Sequence, residues 1–233
     1  LIAEADWELA HARRVGALVF AAEEAGLDVE TEVAREAFDA AWGWHMDEWV
    51  RGVATGAPEI AREALRLLGL ERVADADRAS RALEDLIHDW QEASHTSRVH
   101  AIEGARETLA ALAQAGVRRA LVCDTGLTPG RVVRAHLARE GLLEHLEVCV
   151  FSDEVGAPKP DPRTFRAALE PLGAAPARCI HVGDLLRTDV AGARSVGMGT
   201  VRIRAAHDDP SELPEADAIV DSHAELRRLL GVG

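Results

Sequence analysis

Apolar positions fall into two regimes along the 233 residues. Over residues 1 to about 98 they recur at three- and four-residue spacings, and no run argues for a strand. Between residues 6 and 24, Leu9, Val15, Leu18 and Val19 lie near one face, with Gly26 as the stop. Thr31, read as an N-cap, opens a second helix through Val33, Ala34, Ala37 and Phe38. Residues 58–68 and 77–91 predict two more helices. After His100 the pattern changes, and short apolar runs alternate with helical stretches. Strands are expected at 117–123, 148–151, 179–182, 200–203 and 218–220, and helices at 103–114, 129–139, 162–172, 189–196 and 224–230. Short strands alternating with helices predict an α/β fold. Its core over residues 99–233 is a doubly wound parallel sheet covered on both faces, beside an all-helical domain over residues 1–98.

Charge and composition narrow the partners. A net charge of −14 argues against a general nucleic-acid binder and against an anionic membrane surface, since both need a basic footprint. A small anionic substrate remains compatible, because a pocket can be locally cationic on an acidic protein. Glu4, Asp6, Glu8 and Arg13 interrupt any apolar N-terminal stretch, so no signal peptide is expected, and no 18-residue apolar span occurs. Cys123, Cys149 and Cys179 are widely spaced in apolar runs and read as buried free thiols in a reducing cytoplasm. Of the 26 basic residues only Lys159 is lysine. Arginine serves wherever a generic surface cation suffices, which singles out Lys159 as a point charge with a specific task.

In a doubly wound sheet, chemistry sits beyond the carboxyl ends of the strands. Those ends carry Cys123-Asp124-Thr125-Gly126, Ser152-Asp153-Glu154 and Gly183-Asp184, with Lys159 in a proline-bracketed turn between the last two. Asp184 and Asp189, five positions apart, are oxygen donors of the kind magnesium requires. Taken alone, they equally suit a turn and a helix cap. Thr125 and Gly126 offer a hydroxyl and backbone N–H groups beside a helix start, an arrangement for an anion or simply a capped turn.

Together, Lys159-Pro160-Asp161-Pro162, His181-Val182-Gly183-Asp184 and the segment after Val122 resemble the second, third and fourth motifs of the haloacid dehalogenase superfamily. The likeness runs from Ile102-Glu103-Gly104 to Gly197-Met198. It implies a Rossmann-like core and makes the helical half an inserted C1-type cap. It further implies a magnesium-dependent phosphohydrolase acting on a small phosphorylated metabolite through an aspartyl-phosphate. Lys159 would stabilise that intermediate, and Asp184 would bind Mg2+, with Asp189 assisting or orienting Lys159. The phosphate-binding hydroxyl of the family falls at Cys123, followed by Asp124 where asparagine is usual. Either Thr125 supplies the hydroxyl or backbone N–H groups hold the phosphate. The family's first motif, an apolar strand ending in Asp-x-Asp-Gly-Thr, is absent from the 233 residues. Leu1-Ile2 resembles the pair that follows it, so the nucleophilic aspartate is expected upstream of Leu1. Asp75-Ala76-Asp77 lies in a helical setting and does not match.

Within that superfamily, Asp184 favours phosphate chemistry over dehalogenation, and the lack of a cap lysine excludes a Schiff-base mechanism. A phosphomutase stays open. So does a catalytically silent relative acting as a binding protein, although such a protein has no reason to retain Lys159 with both carboxylates. A nicotinamide-binding domain lacks its glycine fingerprint. Phe38, Trp42, His45 and Trp49 share one helical face, either as an aromatic wall over a substrate with His45 binding it, or as packing. His100 is read as either a hinge or a solvated residue.

Overall fold

The computed structural model describes residues 1–74 and 81–233. Asp75-Ala76-Asp77 and the first part of the helix expected at 77–91 lie outside the described residues. The elements run β1 (Ile2–Asp6), α1 (Glu8–Glu24), α2 (Thr31–Val50), α3 (Ala57–Leu67), α4 (Glu71–Ala74), α5 (Arg81–Ala93), β2 (Arg98–Ala101) and α6 (Ala105–Gln114). They continue with β3 (Ala120–Cys123), α7 (Gly130–Arg139), β4 (Val148–Phe151), α8 (Ser152–Val155), α9 (Pro162–Leu172) and β5 (Ile180–Gly183). The last are α10 (Ala191–Ser195), β6 (Gly199–Ile203), β7 (Ala218–Val220) and α11 (His223–Leu230). Two compact units result. One holds Glu4–Val99 with Thr125–Val133, the other Leu1–Ala3, His100–Asp124 and Arg134–Gly233. A single cut near residue 98 therefore leaves two short stretches on the other side of the boundary.

The helical unit forms because the three- and four-residue spacing gives α1, α2, α3 and α5 one apolar face each. Those faces meet around Leu18, Phe38, Ile60, Leu65, Leu83, Leu86 and Trp90, all essentially buried. Phe38 meets Trp90 edge-on, with ring centroids 5.1 Å apart. Arg14 is buried in the same unit, donating from Nε to the Trp90 carbonyl (3.2 Å) and from Nη2 to Ser94 Oγ (2.6 Å). Trp90 Nε1 returns a hydrogen bond to the Arg14 carbonyl at 2.9 Å. Leu127 belongs to this core although the chain reaches it only after β3.

In the α/β unit the strands pair in parallel, and β3 lies beside β4 with Cys123 opposite Phe151. β5, β6 and β7 form a second ladder with Gly183 opposite Arg202 and Val201 opposite Ala218. This is the expected α/β alternation with helices between parallel strands. The expected single sheet is instead two ladders, β4-β3 and β5-β6-β7. Among the described residues β3 and β5 each keep one edge without a strand, and Ile180 on β5 is 52% exposed.

Several local expectations are corrected. β1 and β2 pair with each other although neither has a strand pattern, and the Ile102 N–H donates to the Leu1 carbonyl at 2.9 Å. Pairing, not local propensity, makes them strands. Thr31 is the first helical residue rather than the cap; Glu30 takes the cap position without a side-chain bond. β3 starts at Ala120, not 117, because Gly116 turns at φ +71° and the Val117 N–H closes α6 on the Leu112 carbonyl. The helix expected at 189–196 begins instead as a wide turn over Leu186–Val190.

Candidate active site

Lys159 is where the ends of β3 and β5 meet. Its ammonium donates to Asp189 Oδ1 at 2.7 Å, and its backbone N–H donates to Asp124 Oδ1 at 2.9 Å. One carboxylate thus aims the charge while the other fixes the turn that carries it. Asp124, acidic where asparagine was expected to be usual, has its carboxylate occupied by that backbone. Burial alone would push the ammonium's pKa down, but Asp189 and then Asp124 outweigh it and hold Lys159 well above its ordinary value.

Asp189 is 3% exposed. Besides Lys159, Oδ1 accepts from His181 Nε2 at 2.8 Å, and Oδ2 accepts from the Leu185 N–H at 3.1 Å. Burial favours protonation, yet Lys159 and His181 hold this carboxyl below the usual carboxylate range. The wide turn follows from this. With the carboxylate drawn back onto the Leu185 N–H, the Val190 N–H also reaches the Leu185 carbonyl, a five-residue step common at functional positions. Gly183 makes room: a Cβ there would come within 2.2 Å of Asp189 Cγ. Asp209 Oδ2 steadies the same turn by accepting the Leu186 N–H at 2.7 Å.

Asp184 stands at the mouth of β5, half-buried, its pKa raised by burial and then by Asp189. A divalent cation offsets both effects, so the donor chemistry of Asp184 fits the magnesium that the motif implies. Of the two roles expected for Asp189, assisting at the metal or orienting Lys159, its contacts match the second, since its oxygens already serve Lys159, His181 and the Leu185 N–H. Among the described residues no group of three His, Cys, Asp or Glu side chains could hold a metal by itself. Cys123 ends β3, and burial pushes its thiol up to about 11, partly opposed by Lys159. Cys123, Cys149 and Cys179 are free but half-buried, not buried as expected.

Cys123, Asp124, Lys159, Asp184 and Asp189 thus come together in the α/β unit. Thr125 and Gly126, the next residues along the chain, belong to the helical unit. Gly126 lies against the edges of two rings there: a Cβ would meet His45 Nε2 at 2.9 Å and Trp42 Cζ3 at 3.5 Å. His45 is buried, its Nδ1 2.5 Å from Thr55 Oγ1 and its ring 4.8 Å from that of Trp42. The aromatic stripe therefore divides, Phe38 packing in the helical core and Trp42 and His45 seating the loop. His100 is exposed. His181 and Asp209 were not singled out from sequence. A lone histidine inside the apolar run Ile180 to Val182 was the available signal for the first; nothing local marked the second.

The chain matches the profile of the haloacid dehalogenase-like hydrolases over residues 9–197. It is 31% identical over 165 residues to the haloacid dehalogenase-like hydrolase domain-containing protein 3 of Mus musculus, an alignment covering 71% of this chain and 61% of that protein. It is 31% identical over 180 residues to the plasmid phosphoglycolate phosphatase of Cupriavidus necator, covering 76% and 74%. Among solved structures, a HAD phosphatase from Thermococcus onnurineus superposes with a TM-score of 0.63 at 26% identity, covering 94% of this chain and 88% of that one. A 2-haloacid dehalogenase from Pseudomonas syringae reaches 0.64 at 19% identity over 97% and 93%, a likeness of fold.

Proposed function

Since the chain belongs to the haloacid dehalogenase-like hydrolases, we propose that it is a magnesium-dependent phosphohydrolase acting on a small phosphorylated metabolite through an aspartyl-phosphate. The observation that carries this reading is the half-buried Lys159 ammonium, held by Asp189 in a site that also holds Asp184. An ammonium fixed in a half-dry site is suited to charge that develops on a phosphoryl group. The phosphatase names of relatives such as the Cupriavidus necator enzyme support the same chemistry. The dehalogenase likeness, at 19% identity, bears on the fold alone.

In the proposed reaction an aspartate carboxylate attacks phosphorus, and the P–O bond to the leaving alcohol breaks as that oxygen takes a proton. Water then attacks phosphorus, releasing phosphate and regenerating the carboxylate. Lys159 stabilises charge on the phosphoryl oxygens, Asp189 orients Lys159, and Asp184 would hold the metal. Backbone N–H groups and the Thr125 hydroxyl would receive the phosphate, with Cys123 and Gly126 shaping that seat. Magnesium, when bound, neutralises charge on the transferring group. The nucleophile would lie on a strand between β3 and β5; the open edge that each of them keeps among the described residues supports that position. The helical unit would serve as the inserted cap, and three free thiols fit a reducing cytoplasm.

The test is hydrolysis of an aryl phosphate by the complete natural protein. Activity should require magnesium, vanish with a chelator, and fall by at least about 100-fold in Asp184→Asn, as on losing a preorganised charge stabiliser. Full turnover in the chelator would overturn the reading.

A further inference from the structure

The catalytic machinery proposed above leaves one polar group unassigned. His181 lies on β5 between two apolar neighbours, in a strand where a branched aliphatic residue would serve the packing as well. Its ring meets Phe165 edge-on, with centroids 5.2 Å apart at 81°. Phe165 is itself wedged against Gly192, where a Cβ would come within 2.5 Å of Cε2. The imidazole therefore has a firm backing and little freedom to turn. Asp189 is an acceptor only, so Nε2 carries the hydrogen of their 2.8 Å bond. That bond ends on Oδ1, the oxygen that also receives the Lys159 ammonium.

We propose that His181 is a positioning residue for Lys159: by binding the same oxygen, Asp189 Oδ1, it fixes the direction in which the ammonium points. A lysine side chain has four rotatable carbons and a charge without preferred direction. Only the carboxylate it meets can aim it. Asp189 in turn has three donors, namely Lys159, His181 and the Leu185 N–H. Removing His181 leaves the carboxylate with the Leu185 N–H at Oδ2 and Lys159 itself at Oδ1, so Oδ1 keeps no restraint but the ammonium it is meant to aim. Partners behind a reacting group act in this way in well-characterised sites, where their loss costs roughly 10- to 100-fold in activity.

The role presupposes the phosphohydrolase chemistry for its kinetic readout, so a second readout independent of activity is needed. Lys159 is the sole lysine of the 233 residues, and a 13C-lysine label gives one Cε signal that reports its surroundings. His181→Phe keeps a ring against Phe165 and loses the donor; His181→Gln keeps a donor of similar reach. In Phe, kcat should fall by roughly 10-fold or more with KM changed less than about twofold, since the interaction lost acts on the transition state. The lysine signal should move in Phe, and both readouts should return toward wild type in Gln. Should Phe not fold, His181→Asn, whose amide is too short to reach Asp189, takes its place. An unmoved lysine signal with wild-type kcat in Phe overturns the role. So does an equal loss in Phe and Gln that follows the thermal midpoint. If wild type hydrolyses no phosphate ester yet the lysine signal moves in Phe and returns in Gln, the phosphohydrolase reading fails and the positioning role stands.

Discussion

At the scale of single residues, the use of lysine at one position and arginine at 25 others is a chemical choice. An ammonium of small radius, 2.7 Å from one oxygen of Asp189, leaves its remaining hydrogens for a second partner. A guanidinium at the same position spreads its charge over a planar fork and cannot offer the same compact point charge. Lys159→Arg should therefore preserve the charge and lose the function. The expected result is a fall in kcat of about 100-fold or more, comparable to removing one preorganised donor. Steady-state kinetics with an aryl phosphate measures it, and near-normal turnover would mean that net charge, rather than direction, is what matters at this position. The lysine's singularity was legible in the sequence. Its two restraints were not, because Asp124 and Asp189 lie 35 and 30 residues away along the chain and no local spacing records that they converge.

Among the elements, the stretch after β3 is the one whose allegiance the sequence did not reveal. Thr125–Val133 follows a strand and begins a helix, a pattern that assigns it to the α/β half. Yet Leu127 is 2% exposed within the helical core, its carbonyl lies 3.5 Å from Ser94 Oγ, and Thr128 Oγ1 donates to Ser94 Oγ at 2.9 Å. Arg131 Nη1 adds an ion pair to Glu92 at 2.8 Å. Leu127 is thus a knob by which the loop carrying Thr125 and Gly126 is held in the helical unit. Leu127→Ala should destabilise that unit by about 2–5 kcal/mol, the usual cost of a buried leucine cavity. Urea unfolding followed by tryptophan fluorescence measures it, all five tryptophans lying in the first 90 residues. A loss below about 0.5 kcal/mol, typical of an exposed position, would show that Leu127 is no part of the core. Periodicity located most helices to within a few residues, because burying one face is a local constraint. It missed β1 and β2, which exist only through each other, and it could not show that Leu127 packs with Phe38 and Trp90.

For the molecule as a whole, the decisive feature is the interruption of the sheet. β3 pairs only with β4 and β5 only with β6 among the described residues, so each keeps one edge without a strand. Parallel strands are normally covered on both faces and paired on both edges in the middle of a sheet, yet Ile180 on β5 is 52% exposed. In a four-residue strand every second residue turns its N–H and C=O to the same side, so each open edge presents about four groups. A group left unpaired costs about 1–3 kcal/mol once buried, so two dry edges together would reach the scale of a domain's entire stability, about 5–15 kcal/mol. Water can satisfy the edges only if the interior stays open, and a second chain can satisfy them only by association. The part-exposed setting of β3 and β5 corresponds to the first of these. The outward amides of both strands should therefore exchange with solvent faster than the inward amides that pair β3 with β4 and β5 with β6. Hydrogen exchange followed residue by residue measures the difference. Equal protection on the two sides of either strand would mean that a further strand or a second chain covers that edge.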